Sequence, residues 1–453
     1  MGGRTNEKPD TVRNVVNCLF CWPIRGDYHH TASDLTDGPS PSIVHMGKAG
    51  LISSRSADTW GFKVMEIADR MGSIPFSGIR RVFEEVTRRE KEGEDIIHLH
   101  VGRPDFDTPA HIKEAAKKAL DEGKVHYSSN YGIPELREAI AEKLERDNGL
   151  SFDPATEIIV TVGTNEAVFI AMMGLLNPGD EVLIPDPCWL HYFYCAQMAG
   201  AAPISVPLRE ENGFNPTIDD VRSRITGKTR MVIVNTPNNP TGSVWPAEFL
   251  EELAQIAQEK DLFILSDEIY EKMTYEGSRH VSMGSFPGMR ERTITANGFS
   301  KIYSMTGWRL GYAAADRTIV SALIRIHQYT TVCATSFAQW GAVEALRGPQ
   351  TQADMMVMEF DRRRNLVYSA LKNMPGIGVV KPLGAFYIFP NIKELGKTPE
   401  ELARYLLDEA RIAVVPGTVL GKFGNDFIRI SYANSYENLE IGMARMEEAI
   451  RKM

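Results

Sequence analysis

A chain of 453 residues with 43% hydrophobic, 24% charged and 9% aromatic residues has an ordinary globular composition and room for two or three domains around a large core. Its 50 basic and 59 acidic residues leave a net charge of −9, which excludes a broad basic surface for nucleic acid but permits a local basic pocket for a small anion. Five cysteines (Cys18, Cys21, Cys188, Cys195 and Cys333) are too sparse for a disulfide framework and predict a reducing, cytoplasmic setting.

Residues 1–60 are rich in Gly, Ser, Asp, Thr and His without sustained periodicity, which predicts a disordered or loosely attached extension. Acidic residues within it (Glu7, Asp10, Asp27, Asp34, Asp37) argue against an organellar transit peptide, and 15–24 is its only apolar stretch, with polar flanks that do not suit a signal peptide. Cys18 and Cys21, followed by His29 and His30, offer half a zinc site. Lacking a second Cys-x-x-Cys, the chain is expected to hold no metal. No apolar run approaches the ~18 residues of a membrane span, so no membrane partner is expected.

From residue 62 the pattern turns helical, with Ile79, Val82, Phe83 and Val86 at three- and four-residue spacing. Strand-length apolar runs follow at 157–162, 181–185, 230–235, 262–266 and 293–296, and helical stretches at 166–176 and 247–259 separate several of them. Such alternation predicts an α/β body with a parallel sheet covered on both faces. Past Gly348 come helices at 355–371 and 398–409, short runs at 384–390, 413–416 and 427–431, and a closing helix at 437–452. This second pattern predicts a separate α+β domain.

Chemistry is most concentrated in GFSKIYSMTGWRLGY, residues 298–312, where Lys301 lies just beyond a strand end and Arg309 follows eight residues later. An amine nucleophile beside a cationic anchor is one reading; a lone lysine is more commonly a solvated surface charge. Two other segments shift the balance. NTPNNPTG (235–242) and SDEIY (266–270) also follow apolar strands, and ligands on open α/β sheets bind outside the carboxyl ends of the strands. A fourth segment, IIVTVGTNEAV (158–168), reads as strand, Gly163-Thr164-Asn165, then helix, a helix N-terminus that suits phosphate. It lacks the spacings of the nucleotide-binding glycine loops.

In this order and spacing the segments resemble the pyridoxal phosphate (PLP) enzymes of fold type I, specifically the class I/II aminotransferases of the aspartate aminotransferase superfamily, from about Ile74 to the C-terminus. The resemblance implies a large domain, 111–348, with a mostly parallel seven-stranded sheet between helices. It also implies a smaller α+β domain from 349–453 joined by a segment at 61–110. Lys301 resembles the lysine that holds PLP as an internal aldimine and then acts as general base, in a ping-pong exchange between an L-amino acid and a 2-oxo acid such as 2-oxoglutarate. Asp267 resembles the partner of the pyridinium nitrogen, and Asn239 and Tyr270 the donors to the ring's 3′ oxygen. Arg309, with Gly163, Thr164, Asn165 and Ser300, resembles the phosphate clamp, and Trp189 the ring stacked on the cofactor. Tyr127 resembles the tyrosine that reaches the neighbouring subunit's phosphate, so a homodimer with shared sites is implied. Arg429 and Gly102 resemble the α-carboxylate grip; as a bare residue, Arg429 reads equally as a structural ion pair.

Departures from the family pattern concern substrate. The aspartate-specific bacterial branch has a lysine where this chain has Asn165 and a threonine where it has Ile79, both directed to a distal carboxylate. Their loss predicts breadth towards apolar or aromatic side chains. Gly298 stands where a serine is frequent, which predicts a phosphate clamp one hydroxyl short. Arg103 replaces the more usual Glu, Gln or Asn after Gly102. A C–S β-lyase or cyclopropane-forming synthase on the same fold is the rival enzymatic reading. A PLP-sensing transcription regulator is disfavoured because 1–60 is too short, acidic and aperiodic for a winged helix-turn-helix.

Overall fold

A computed structural model describes residues 66–453, so the 1–60 extension and the Cys18, Cys21, His29, His30 set lie outside the described residues. In chain order the strands begin with β1 (Ile97–His98), β2 (Ile158–Thr161), β3 (Glu181–Asp186), β4 (Ala202–Pro207) and β5 (Thr229–Asn235). They continue with β6 (Phe263–Asp267), β7 (Thr293–Gly298), β8 (Gly311–Ala314), β9 (Tyr387–Ile388), β10 (Ile412–Ala413), β11 (Val415–Pro416) and β12 (Ile428–Ser431).

Seven of them, β2 to β8, form one sheet in the order β2-β8-β7-β6-β5-β3-β4. Most of its strands read as apolar runs because both faces are covered. Along β5, Met231 and Ile233 join the cluster that contains Val168 and Ile170 of helix Thr164–Leu175, whereas Val232 and Val234 join the cluster that contains Leu250 and Leu253 of helix Ala247–Glu259. Period-two alternation thus feeds two hydrophobic layers from one strand.

The sheet is the expected mostly parallel, seven-stranded one, with two features that the apolar runs did not indicate. β8 runs antiparallel to both β2 and β7, and neither β8 nor β4 is apparent as an apolar run. β4 carries Pro203 and Pro207 and pairs only with β3 at the sheet edge, a place where proline's missing N–H is tolerated. β8, Gly-Tyr-Ala-Ala, carries small residues apart from Tyr312, and helix Thr164–Leu175 begins against it; a Cβ on Gly311 would lie 2.6 Å from the Thr164 backbone nitrogen.

The C-terminal region has the predicted α+β character. Helices Thr351–Lys372, Pro399–Ala410 and Tyr436–Arg451 lie within a few residues of expectation, and Thr398 with Glu401 forms a capping box on the second. The single run predicted at 413–416 is two strands, because the chain changes partners at Val414: β10 pairs with β1, and β11 with β12. Pairing of β1 with β10 ties the segment after helix Gly78–Lys91 to the C-terminal region. Of that helix's predicted apolar stripe, Val86 is buried and Ile79 and Val82 are half-buried, but Phe83 is 46% exposed.

Candidate active site

Asn235 and Asp267, the last residues of β5 and β6, stand level with Ala296 of β7, which runs on to Gly298. Alternation along the chain sends the side chain of Asp267 into a cavity of about 370 Å³, while Glu268 turns away to accept hydrogen bonds from Ser266 and Ser282. The Tyr192 hydroxyl donates to Asp267 at 2.6 Å and the Ile269 N–H at 3.2 Å. Burial nevertheless dominates and pushes the Asp267 carboxyl up to about 6, against the pull of these two donors.

Lys301 follows β7 across the cavity. Its Nζ donates to the Gly102 carbonyl at 2.6 Å and lies 5.7 Å from the Tyr270 ring centroid and 5.6 Å from that of Phe386. Burial lowers its pKa to about 8, and the nearby charge of Arg429 adds to the effect.

One end of the cavity is built for an anion. Gly163 precedes helix Thr164–Leu175 with φ +76°, and a Cβ there would lie 2.6 Å from Arg309 Nη2, so a side chain would displace the guanidinium. Arg309 itself sits at φ 55° and donates from Nη1 to the Thr306 carbonyl at 3.0 Å. The Thr164 hydroxyl is buried without a partner. A Cβ on Gly298 would stand 2.9 Å from Thr164 Oγ1, so glycine at that position leaves room for the Thr164 hydroxyl.

At the other end Arg429, in β12, is buried to 2% exposure. Its Nη1 donates to Asn239 Oδ1 at 3.1 Å and its Nη2 to the His100 carbonyl at 2.8 Å, leaving Nε buried with no partner. No carboxylate pairs with it among the described residues, which removes the structural ion-pair reading. The guanidinium stacks 4.6 Å over Tyr387, whose hydroxyl is 3.0 Å from that of Tyr270. Burial lowers the Arg429 pKa from its ordinary value, the condition of a cation awaiting an anion. Trp189 stacks on His191 at 4.4 Å, and His191 Nε2 is 3.0 Å from the Asn165 carbonyl, which fixes the indole at the rim.

Thus Lys301, Asp267, Tyr270, Asn239, Ser300 and Arg309 line one cavity, as do Thr164, Asn165, Trp189, Gly102, Ile79 and Arg429. Gly163 lies behind it at the helix start. Tyr127 is 86% exposed and is not part of its wall. Sequence reasoning missed Tyr192 and Tyr387. Tyr192 stands three residues after Trp189, a helical spacing that was its only signal; Tyr387 was hidden in a run that reads simply as strand.

Residues 94–446 match the family model of aminotransferase class I and II. The chain belongs to that family. This aminotransferase is 46% identical over 390 residues to aromatic-amino-acid aminotransferase 2 of Thermococcus litoralis, a match that covers 86% of this chain and 99% of the relative. It is equally 46% identical over 390 residues to the aspartate aminotransferase of Pyrococcus abyssi, with the same coverage of 86% and 99%. The solved structure of Thermus thermophilus aspartate aminotransferase with maleate superposes with a TM-score of 0.82 at 39% identity, covering 85% of this chain and 100% of that one. The protein is therefore an enzyme, a transaminase of fold type I, and the lyase or synthase reading finds no support in these relatives. No helix among the described residues of the aminotransferase is long and apolar enough to cross a membrane.

Proposed function

We propose that this aminotransferase uses PLP to move the amino group of an L-amino acid, broadly chosen with apolar or aromatic side chains favoured over strict aspartate, to a 2-oxo acid such as 2-oxoglutarate. The observation that carries the reading is one cavity shared by a half-buried Lys301 whose amine donates to the Gly102 carbonyl, a buried carboxylate, Asp267, and a buried arginine with an unpartnered Nε, Arg429. The cavity suits the cofactor on its own features. The glycine cradle around Arg309 and the unpartnered Thr164 hydroxyl await a phosphate, and Ser300 lines the same wall. Asp267 offers an anion to a ring nitrogen, Asn239 and Tyr270 offer polar atoms to the ring's oxygen, and Trp189 offers a flat face.

When bound, PLP supplies an electron sink for the charge that develops at the substrate Cα. The chain's own groups do the rest. Arg429 forks the α-carboxylate, with Nε as a further donor. Lys301 Nζ takes the proton from Cα, beside the Tyr270 and Phe386 rings. The two relatives at 46% identity carry different substrate names, so the side-chain preference rests on Ile79 and Asn165 in the cavity wall. Pairing of β1 with β10 supports reading 61–110 with 349–453 as one smaller domain beside 111–348. Sparse cysteines support a cytoplasmic setting, and the exposure of Tyr127 suits contact with a second copy in a homodimer.

The test is the half-reaction. Mixed with phenylalanine, leucine, alanine, glutamate or aspartate, the loaded enzyme should lose its visible cofactor absorption, and 2-oxoglutarate should restore it. Absence of restoration would overturn transamination, and aspartate as much the best donor would overturn the Ile79 and Asn165 argument.

A pH dependence follows from Asp267. The carboxyl is ionised above about 6 and neutral below, and only the anion pairs with a protonated ring nitrogen. Cofactor uptake by the cofactor-free protein should therefore weaken as pH falls through about 6. Tyr192→Phe removes a donor to the ionised form, so the midpoint should rise by about one unit. Absorbance titration from pH 5 to 8 measures both.

A further inference from the structure

Four cationic residues line the cavity, Arg103, Lys301, Arg309 and Arg429, against one acid, Asp267. Under the proposed reaction three of the four have an anion or a proton to handle: Arg309 the phosphate, Arg429 the α-carboxylate, Lys301 the Cα proton. Arg103 is left over. It is exposed, and among the described residues no acid pairs with it. The acids that follow it in the chain are already engaged, Asp105 with Arg363 at 2.7 Å and Asp107 with Lys113.

The placement of Arg103 is not loose. Its neighbour Gly102 is tied to Lys301 through the carbonyl, and the next residue, Pro104, is buried. A residue before proline is restricted to extended backbone. Both flanks therefore hold the Arg103 backbone at the cavity wall, and only the long side chain remains adjustable. An unpaired, hydrated guanidinium held at the mouth of an anion-binding cavity is a ready partner for a planar carboxylate.

We propose that Arg103 is a specificity-determining residue that binds the distal carboxylate of a dicarboxylic amino or oxo acid. The idea rests on the transamination reading above and deepens it. Ile79 gives the cavity an apolar wall, and Arg103 gives the same cavity a charge for the acidic partner of the exchange. An apolar side chain leaves Arg103 in water and desolvates no charge. A distal carboxylate gains a charge-assisted pair with Arg103.

Arg103→Gln and Arg103→Glu, each loaded with PLP, test this. Glutarate and 3-phenylpropionate serve as dead-end ligands in calorimetry, and glutamate and phenylalanine as donors in the half-reaction. Arg103→Gln should lower the glutamate-to-phenylalanine ratio of kcat/KM about tenfold, the loss expected for one hydrogen bond to a charged group. Arg103→Glu should lower it further. The ratio of glutarate to phenylpropionate affinity should fall in parallel. Unchanged ratios, or equal losses for acidic and apolar ligands, would overturn the assignment of Arg103. Those outcomes leave transamination standing, because it is read from the wild-type enzyme. A wild-type enzyme that transaminates neither donor would overturn both.

Discussion

Lys301→Ala is expected to lower kcat by about 10²–10⁴-fold or more, the range that a positioned general base contributes, while the protein remains folded. Burial is the reason this amine suits the work. With its pKa drawn down to about 8, roughly one Lys301 in ten is neutral at pH 7; at the ordinary value near 10.4 the fraction would be roughly one in 2,500. The same burial makes Lys301 costly to keep charged, so in the cofactor-free protein alanine should not lower the melting temperature. Single-turnover conversion of phenylalanine, followed by cofactor absorption, is the measurement, with the melting curve as the control. Lys301→Arg separates charge from proton transfer: it retains the cation but cannot be neutral near pH 7, so it should be as inactive as alanine. More than a small fraction of wild-type turnover in either variant would remove Lys301 from the chemistry.

Arg429→Ala should raise KM for every donor regardless of side chain. Truncating one member of a buried charged pair costs about 2–5 kcal/mol, roughly 30-fold to several thousand-fold in kcat/KM. Arg429→Lys should fall between wild type and alanine, since the ammonium keeps the charge and loses the fork. The pattern across donors is the informative part. The α-carboxylate is common to all amino acids, so aspartate, glutamate, leucine and phenylalanine should lose activity alike. Discrimination between acidic and apolar donors belongs instead to the Arg103 variants. If Arg429→Ala impaired only acidic donors, the arginine would be reading a side chain and the orientation of the substrate in the cavity would be reversed.

Much of the site was readable before any fold was known, because its elements are local. A strand that ends in Ser-Asp and is followed by Glu-Ile-Tyr, a glycine that opens a helix at Gly163-Thr164-Asn165, and a lysine past a third strand are each written in consecutive residues. Their side chains meet because β5, β6 and β7 lie side by side with their carboxyl ends within two residues of one level. Strands β4 and β8 were not readable. The prolines of β4 are tolerated only because it lies at the edge, and the small residues of β8 lie against the start of a helix; neither condition is visible in a strand's own residues. The packing around Gly298 was hidden for a similar cause, since the atom nearest to it belongs to Thr164, on a different strand-helix turn.

By itself the sequence determined which chemical groups this protein carries and the order in which they follow one another along an α/β chain. Burial periodicity and turn chemistry are properties of neighbouring residues. Tertiary structure alone decided which groups share a cavity and in what state. Lys301 is held by Gly102 across 199 residues, Arg429 by Asn239 across 190, and Asp267 by Tyr192 across 75. Such contacts leave no period in a sequence, and the burial that moves Asp267 to about 6 and Lys301 to about 8 exists only once the chain has closed around them.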